Sequence, residues 1–107
     1  MTKTDIFDLT GKVAVVTGAS SGLGVQMAKA LARQGADIAI LARRTDKLKT
    51  VAKEISALGV RCLPVKCDVT KSEEIAAAVQ SVVKEYGRID ILINNAGILR
   101  DKSFAKM

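Results

Sequence analysis

The chain has 107 residues, 49% hydrophobic and 26% charged, and its 17 Lys and Arg against 11 Asp and Glu give a formal charge of +6. That suffices for one small globular domain and excludes a membrane-spanning helix, because no uninterrupted apolar segment approaches the ~20 residues a span needs. Two cysteines and no histidine exclude a dense disulfide framework and a His/Cys metal site.

Met1 to Gly11 is polar and mixed in charge, without the pattern of a secretory or transit segment, and the expected location is cytoplasmic. The first apolar run, Val13 to Thr17, predicts a strand, and Leu23 to Gln34 predicts a helix with Met27, Ala28, Leu31 and Ala32 on one stripe and Gly35 as its left-handed stop. Ile38 to Ala42 predicts the second strand, and Asp46 to Leu58 a helix whose inner face is Leu48, Val51, Ala52, Ile55 and Leu58 before Gly59. Arg61 to Lys66 predicts the third strand. Pro64 removes a ladder donor there and assigns it to the sheet margin. Cys62 and Cys67, five apart in one strand, fall on opposite faces roughly 16 Å apart, so they cannot pair and read as small hydrophobes. Thr70 and Glu73 predict a capping box for a third helix with Ile75, Val79, Val82, Val83 and Tyr86 inward and Gly87 after it. Ile89 to Ile93 predicts the fourth strand. Strands alternating with helices give an α/β fold, a partial doubly wound Rossmann-type parallel sheet of four strands in the order 3-2-1-4 with three helices.

Between the first strand and the first helix stands Thr17 to Gly24, Thr-Gly-Ala-Ser-Ser-Gly-Leu-Gly. A helix start leaves unpaired N–H groups and a partial positive charge that suit an anion. Gly18 can turn off the strand, Gly22 can bring bare backbone to a diphosphate, and Gly24 lets the helix pack closely. The candidate contacts are Gly18, Ser20, Ser21, Gly22, Leu23 and Gly24. The spacing is neither Gly-x-Gly-x-x-Gly nor a P-loop, since no Gly-Lys-Ser/Thr follows; alone it is also compatible with a plain connection.

With these motifs together the chain resembles the N-terminal half of a short-chain dehydrogenase/reductase. Thr17, Gly18, Gly22 and Gly24 match the family's Thr-Gly-x-x-x-Gly-x-Gly loop, Asn94, Asn95, Ala96 and Gly97 its Asn-Asn-Ala-Gly motif, and Asp68 with Val69 a third motif. The resemblance implies that residues 1–107 are an NADP-binding half-domain whose catalytic half is absent. It makes Asp68 an adenine reader through its carboxylate and Val69 through its amide, Asn94 a structural tie within the sheet, and Asn95, Ala96 and Gly97 cofactor neighbours.

At the end of the second strand an acid would hold both ribose hydroxyls of NAD; here Ala42 is followed by Arg43 and Arg44, and Asp37 opens the strand at the wrong end. Guanidinium forks match phosphate, so the expected cofactor is NADP in preference to NAD, with Arg43 as 2′-phosphate ligand and Arg44 as helper. The alternative is a solvated pair at a helix start. Ser21 departs from the pattern, since NADP-preferring relatives often carry a basic residue there.

The family's proton-transfer Tyr-x-x-x-Lys does not occur: Tyr86 is the only tyrosine, and Asp90 is its fourth following residue. Tyr86 reads as a core or helix-end residue. The chain therefore reads as truncated, catalytically inactive alone, with no catalytic residue to assign. Two classes remain: the cofactor half of an oxidoreductase interconverting a small alcohol and carbonyl, or an inert nucleotide-binding or structural fragment. An uncovered fourth strand predicts a longer parent or a homo-oligomer. Basic residues spread over the helices, without interleaved aromatics, argue against nucleic acid as a partner.

Overall fold

The run Val-Ala-Val-Val has no polar position at which a strand could face water, so it requires cover on both faces. In the computed structural model, which describes residues 8–18 and 22–94, it forms β1 (Val13–Thr17) inside a four-stranded sheet and is buried throughout. There follow α1 (Gly22–Arg33), β2 (Asp37–Ala42), α2 (Thr45–Ser56), β3 (Cys62–Lys66), α3 (Ser72–Tyr86) and β4 (Ile91–Asn94). The sheet order is β3-β2-β1-β4, all pairs parallel, as the sequence predicts.

Pro64 sits on the marginal strand with its nitrogen turned away from β2. The Cys67 N–H donates to Ala42 O, so by two-residue alternation Val65 and Leu63 also face β2 and Pro64 faces outward. No ladder bond is lost. Right-handed crossovers then put α1 and α2 on one face and α3 on the other. On the first face Ala14, Val16, Ile38 and Ile40 meet Ala28, Ala32, Leu48 and Ile55; on the second Val13, Val15, Ala39 and Leu41 meet Ala78 and Val82. Cys62 packs toward the first face and Cys67 is buried on the second, both as free thiols. Among the described residues no helix is long and apolar enough to cross a membrane.

Four details differ from the sequence expectation. Leu58 lies past the end of α2 and is 40% exposed, so it leaves the inner stripe at Ile55. On α3 Ile75, Val82 and Tyr86 pack inward as expected and Ala78 joins them, while Val83 turns out to 43% exposure. The Thr70/Glu73 capping box does not form: α3 starts at Ser72 with Lys71 as an N-cap that makes no side-chain bond, because Asp68 captures Thr70 in a turn first. β4 starts at Ile91, since Asp90 is engaged across the sheet end: its N–H donates to Val13 O and its Oδ2 accepts from the Val13 N–H, both at 2.9 Å.

Tyr86 is the helix-end residue the sequence suggests. Its O–H donates to Ile38 O at 3.0 Å, the Arg61 guanidinium lies 4.5 Å over its ring, and burial pushes the phenol up to about 12. Asp37 accepts from the Arg61 backbone and guanidinium at the same end of the sheet.

Gly35 holds the turn from α1 to β2 at φ +100°, and a Cβ there would stand 2.7 Å from Thr10 Oγ1 and 3.2 Å from Thr10 N. The hydroxyl is pinned to Asp8 Oδ1 at 2.6 Å and cannot swing aside freely. Gly59 has a similar φ of +97° but open space around it. In urea unfolding, Gly59→Ala should cost about 1 kcal/mol of left-handed strain, and Gly35→Ala about 2–3 kcal/mol because contact with backbone is added. Equal losses would contradict the packing argument.

Candidate functional site

Because the strands are parallel and in register, their carboxyl ends emerge along one edge. Three bonds fix that edge. The Gly18 N–H donates to Leu41 O at 2.8 Å, the Cys67 N–H to Ala42 O at 2.9 Å, and the Thr17 hydroxyl to Asn94 Oδ1 at 2.8 Å. Asn94 thus ties β4 to β1, the sheet-binding role expected for it. The sheet order sets Asp68, Arg43 and Gly18, which follow β3, β2 and β1, along one edge with Asn94, the last residue of β4.

Gly18 turns off β1 at φ +66° and Gly22 begins α1 at φ +57°, conformations that favour glycine at both positions. Among the described residues a Cβ on Gly22 would meet nothing within 4 Å, so no described side chain closes over the backbone at the helix start. Gly24 is buried, and Leu23 is 64% exposed beside it. The first turn of α1 holds no acid, whereas α2 has Asp46 and α3 has Glu73 and Glu74 in theirs. Of the three, α1 alone has no carboxylate in its own first turn, the condition an anionic ligand would exploit. Ser20 and Ser21 of the loop, and Asn95, Ala96 and Gly97 after β4, lie outside the described residues.

Next to the loop, buried Ala42 gives way to exposed Arg43 and Arg44, and Arg44 is the extended N-cap of α2. Two cations at a helix start oppose its dipole unless an anion joins them. Among the described residues neither arginine has an ion-pair partner within 4.0 Å. Asp68 is the acid near enough for Arg43 to act on. The Thr70 hydroxyl and N–H, donating to Oδ1 at 2.6 and 3.0 Å, hold its carboxyl below the usual range, and the Arg43 charge adds to this. Its N–H donates to Glu74 Oε1 at 2.8 Å. Asp68 Oδ2 and the half-buried Val69 N–H are left without a hydrogen bond among the described residues, an acceptor and a donor on consecutive residues.

The edge therefore offers backbone donors at a helix start, two cations without an ion-pair partner among the described residues, and one acceptor–donor pair. These are the kinds of group that a dinucleotide's phosphates, ribose and base can pair with, so the residues present fit such a ligand. Among the described residues no group of three or more His, Cys, Asp or Glu is clustered. Reading the sequence missed Glu74, taking Glu73 as the capping residue; nothing in the local pattern separates the two, because what turns Glu74 back to Asp68 is that the Lys71 N–H is already bonded to Asp68 O.

The model of the short chain dehydrogenase family matches residues 12–107. The chain belongs to that family. Short-chain dehydrogenases similar to it include the 2-dehydro-3-deoxy-D-gluconate 5-dehydrogenase of Formosa agariphila, 41% identical over 96% of this chain and 39% of that protein. Among solved structures, L-sorbose reductase from Gluconobacter frateurii, complexed with NADPH and L-sorbose, superposes with a TM-score of 0.80 at 45% identity, covering 84% of this chain and 35% of that one. An NAD+-bound xylitol dehydrogenase gives 0.81 at 39% identity, covering 83% and 34%. The chain thus spans well under half the length of these short-chain dehydrogenases.

The lowered Asp68 carboxyl makes a prediction. A group with a depressed folded value contributes stability above the ordinary carboxylate pKa, 3.8 for aspartate, and loses it as pH falls through the folded value. Thr70→Val removes one donor to Oδ1 while keeping the backbone donor. Followed by carboxyl-carbon NMR, the Asp68 midpoint should rise toward 3.8 in the variant. An unmoved midpoint would show that Thr70 does not hold it.

Proposed function

We propose that the chain is the cofactor-binding portion of an NADP(H)-dependent oxidoreductase that interconverts an alcohol and a carbonyl. The observation that carries this reading is the end of β2. Ala42 leaves no carboxylate for a ribose diol, and Arg43 and Arg44 follow it, exposed and without ion-pair partners among the described residues. Guanidinium forks there suit a 2′-phosphate. Asp37, the acid that opens β2, is held by Arg61 at the opposite sheet end.

Bound at this edge, the nicotinamide would give or accept a hydride. The chain's own part is to bind and orient: α1's N-terminus for the diphosphate, Arg43 and Arg44 for the 2′-phosphate, Asp68 and Val69 for the adenine. Proton transfer needs a group that the described residues do not bring to this edge, since the Tyr86 hydroxyl is bonded to Ile38 O at the other end. We therefore expect these 107 residues to bind weakly and turn over nothing by themselves, the activity belonging to a longer chain. Leu92, 42% exposed on β4, would then be covered by further chain or by a second copy. The free thiols Cys62 and Cys67 suit a reducing compartment such as the cytoplasm.

Fluorescence titration with NADPH and NADH tests the reading. Arg43→Ala should weaken NADPH binding by about 10- to 100-fold, the size of a charge-assisted contact, and change NADH binding by no more than about 3-fold. Equal losses for both, or none for either, would overturn the 2′-phosphate assignment.

A further inference from the structure

Asp68 is held by its backbone on both sides. Its N–H, in the peptide shared with Cys67, donates to Glu74 Oε1 at 2.8 Å; its carbonyl, in the peptide shared with Val69, accepts the Lys71 N–H at 3.0 Å. Since a peptide unit is planar, fixing both flanking units fixes the two backbone dihedrals of Asp68. Oδ1 is taken by Thr70, and Oδ2 and the Val69 N–H have no hydrogen bond among the described residues, so these two are placed to face a ligand. Glu74 is the long-range member of this set. It occupies the third position of α3, where a glutamate ordinarily returns to its own N-cap amide, but the Lys71 amide is already bonded to Asp68 O and Glu74 reaches six residues back instead.

We infer that Glu74 is a positioning residue for base recognition: by holding the Asp68 amide it keeps Asp68 Oδ2 and the Val69 N–H in fixed register for the amine and ring nitrogen of adenine. The inference rests on the cofactor reading above. Without the Glu74 acceptor the Cys67–Asp68 peptide is free to rotate, and the acceptor and donor no longer stand at one spacing. Affinity for the phosphates is untouched by that loss, because they are bound at other strand ends. The effect is specific to the base.

The test compares NADPH with its hypoxanthine analogue, in which a carbonyl oxygen replaces the exocyclic amine and the ring nitrogen carries hydrogen, so acceptor meets acceptor and donor meets donor. The wild-type chain should prefer NADPH by about 10-fold. Glu74→Ala and Glu74→Asp, the latter keeping the charge but too short to reach, should bring the ratio to near 1 by weakening NADPH alone. Glu74→Gln, whose amide oxygen still accepts, should restore it. Thermal melts of each variant accompany the titrations, so that an unfolded Ala variant leaves the Asp and Gln variants to decide. A folded Asp or Ala variant that keeps the wild-type ratio overturns the role of Glu74. Absence of any base preference in the wild-type chain instead overturns the reading of Asp68, and this inference with it.

Discussion

β1 is buried on both faces and hydrogen-bonded along both edges, and the rest of the chain is arranged by that constraint. Burying Val15 and Val16 completely stabilises the fold by about 1.5–3 kcal/mol each, yet the positional consequence matters more. A strand with no solvent-facing side admits helices on both faces and parallel neighbours at both edges. In-register pairing with β2 and β4 then brings Thr17, Leu41 and Asn94 level, so that every loop after a strand opens on the same edge.

The two ends of the sheet use their charges differently. At the amino ends of the strands the acids are occupied by protein partners. Arg88 and the Val13 N–H hold the Asp90 carboxyl below the usual range. Burial pushes Asp37 up, but the bonds and charge of Arg61 together outweigh it and its carboxyl is lowered as well. Tyr86 closes the same end by donating to Ile38 O. At the carboxyl ends, by contrast, among the described residues Arg43 and Arg44 have no ion-pair partner and Asp68 Oδ2 has no hydrogen bond, and the first turn of α1 carries no acid. One end is closed by the protein's own groups, and the other presents groups that no described residue completes.

Much of this was legible in the sequence, for physical reasons that apply to particular residues. Val13 to Thr17 could only be an interior strand, Pro64 could only sit at a margin, and Gly35, Gly59 and Gly87 marked turns where φ is in fact positive. The glycine loop, Asp68 and Asn94 fell at strand ends, which is where the fold places them. Illegible were choices between neighbours of equal chemistry. Glu73 and Glu74 look alike until the Lys71 amide is known to be taken, and Val82 and Val83 are distinguished only by the rotation of α3 against the sheet. Ile89 resembled strand until Asp90 was found bonded to Val13 from both its amide and its carboxylate. In each case a hydrogen bond or packing contact between distant segments decided what local pattern left open.

We propose that the carboxyl edge of this sheet, and not its amino edge, holds the dinucleotide. Amide NMR of the 15N-labelled chain titrated with NADPH tests it most directly. Shifts should concentrate at Gly18, Gly22, Arg43, Asp68 and Val69, while Asp37, Arg61, Tyr86 and Asp90 stay in place. Perturbations centred on the Asp37–Arg61 end, or an unchanged spectrum at saturating NADPH, would contradict the account.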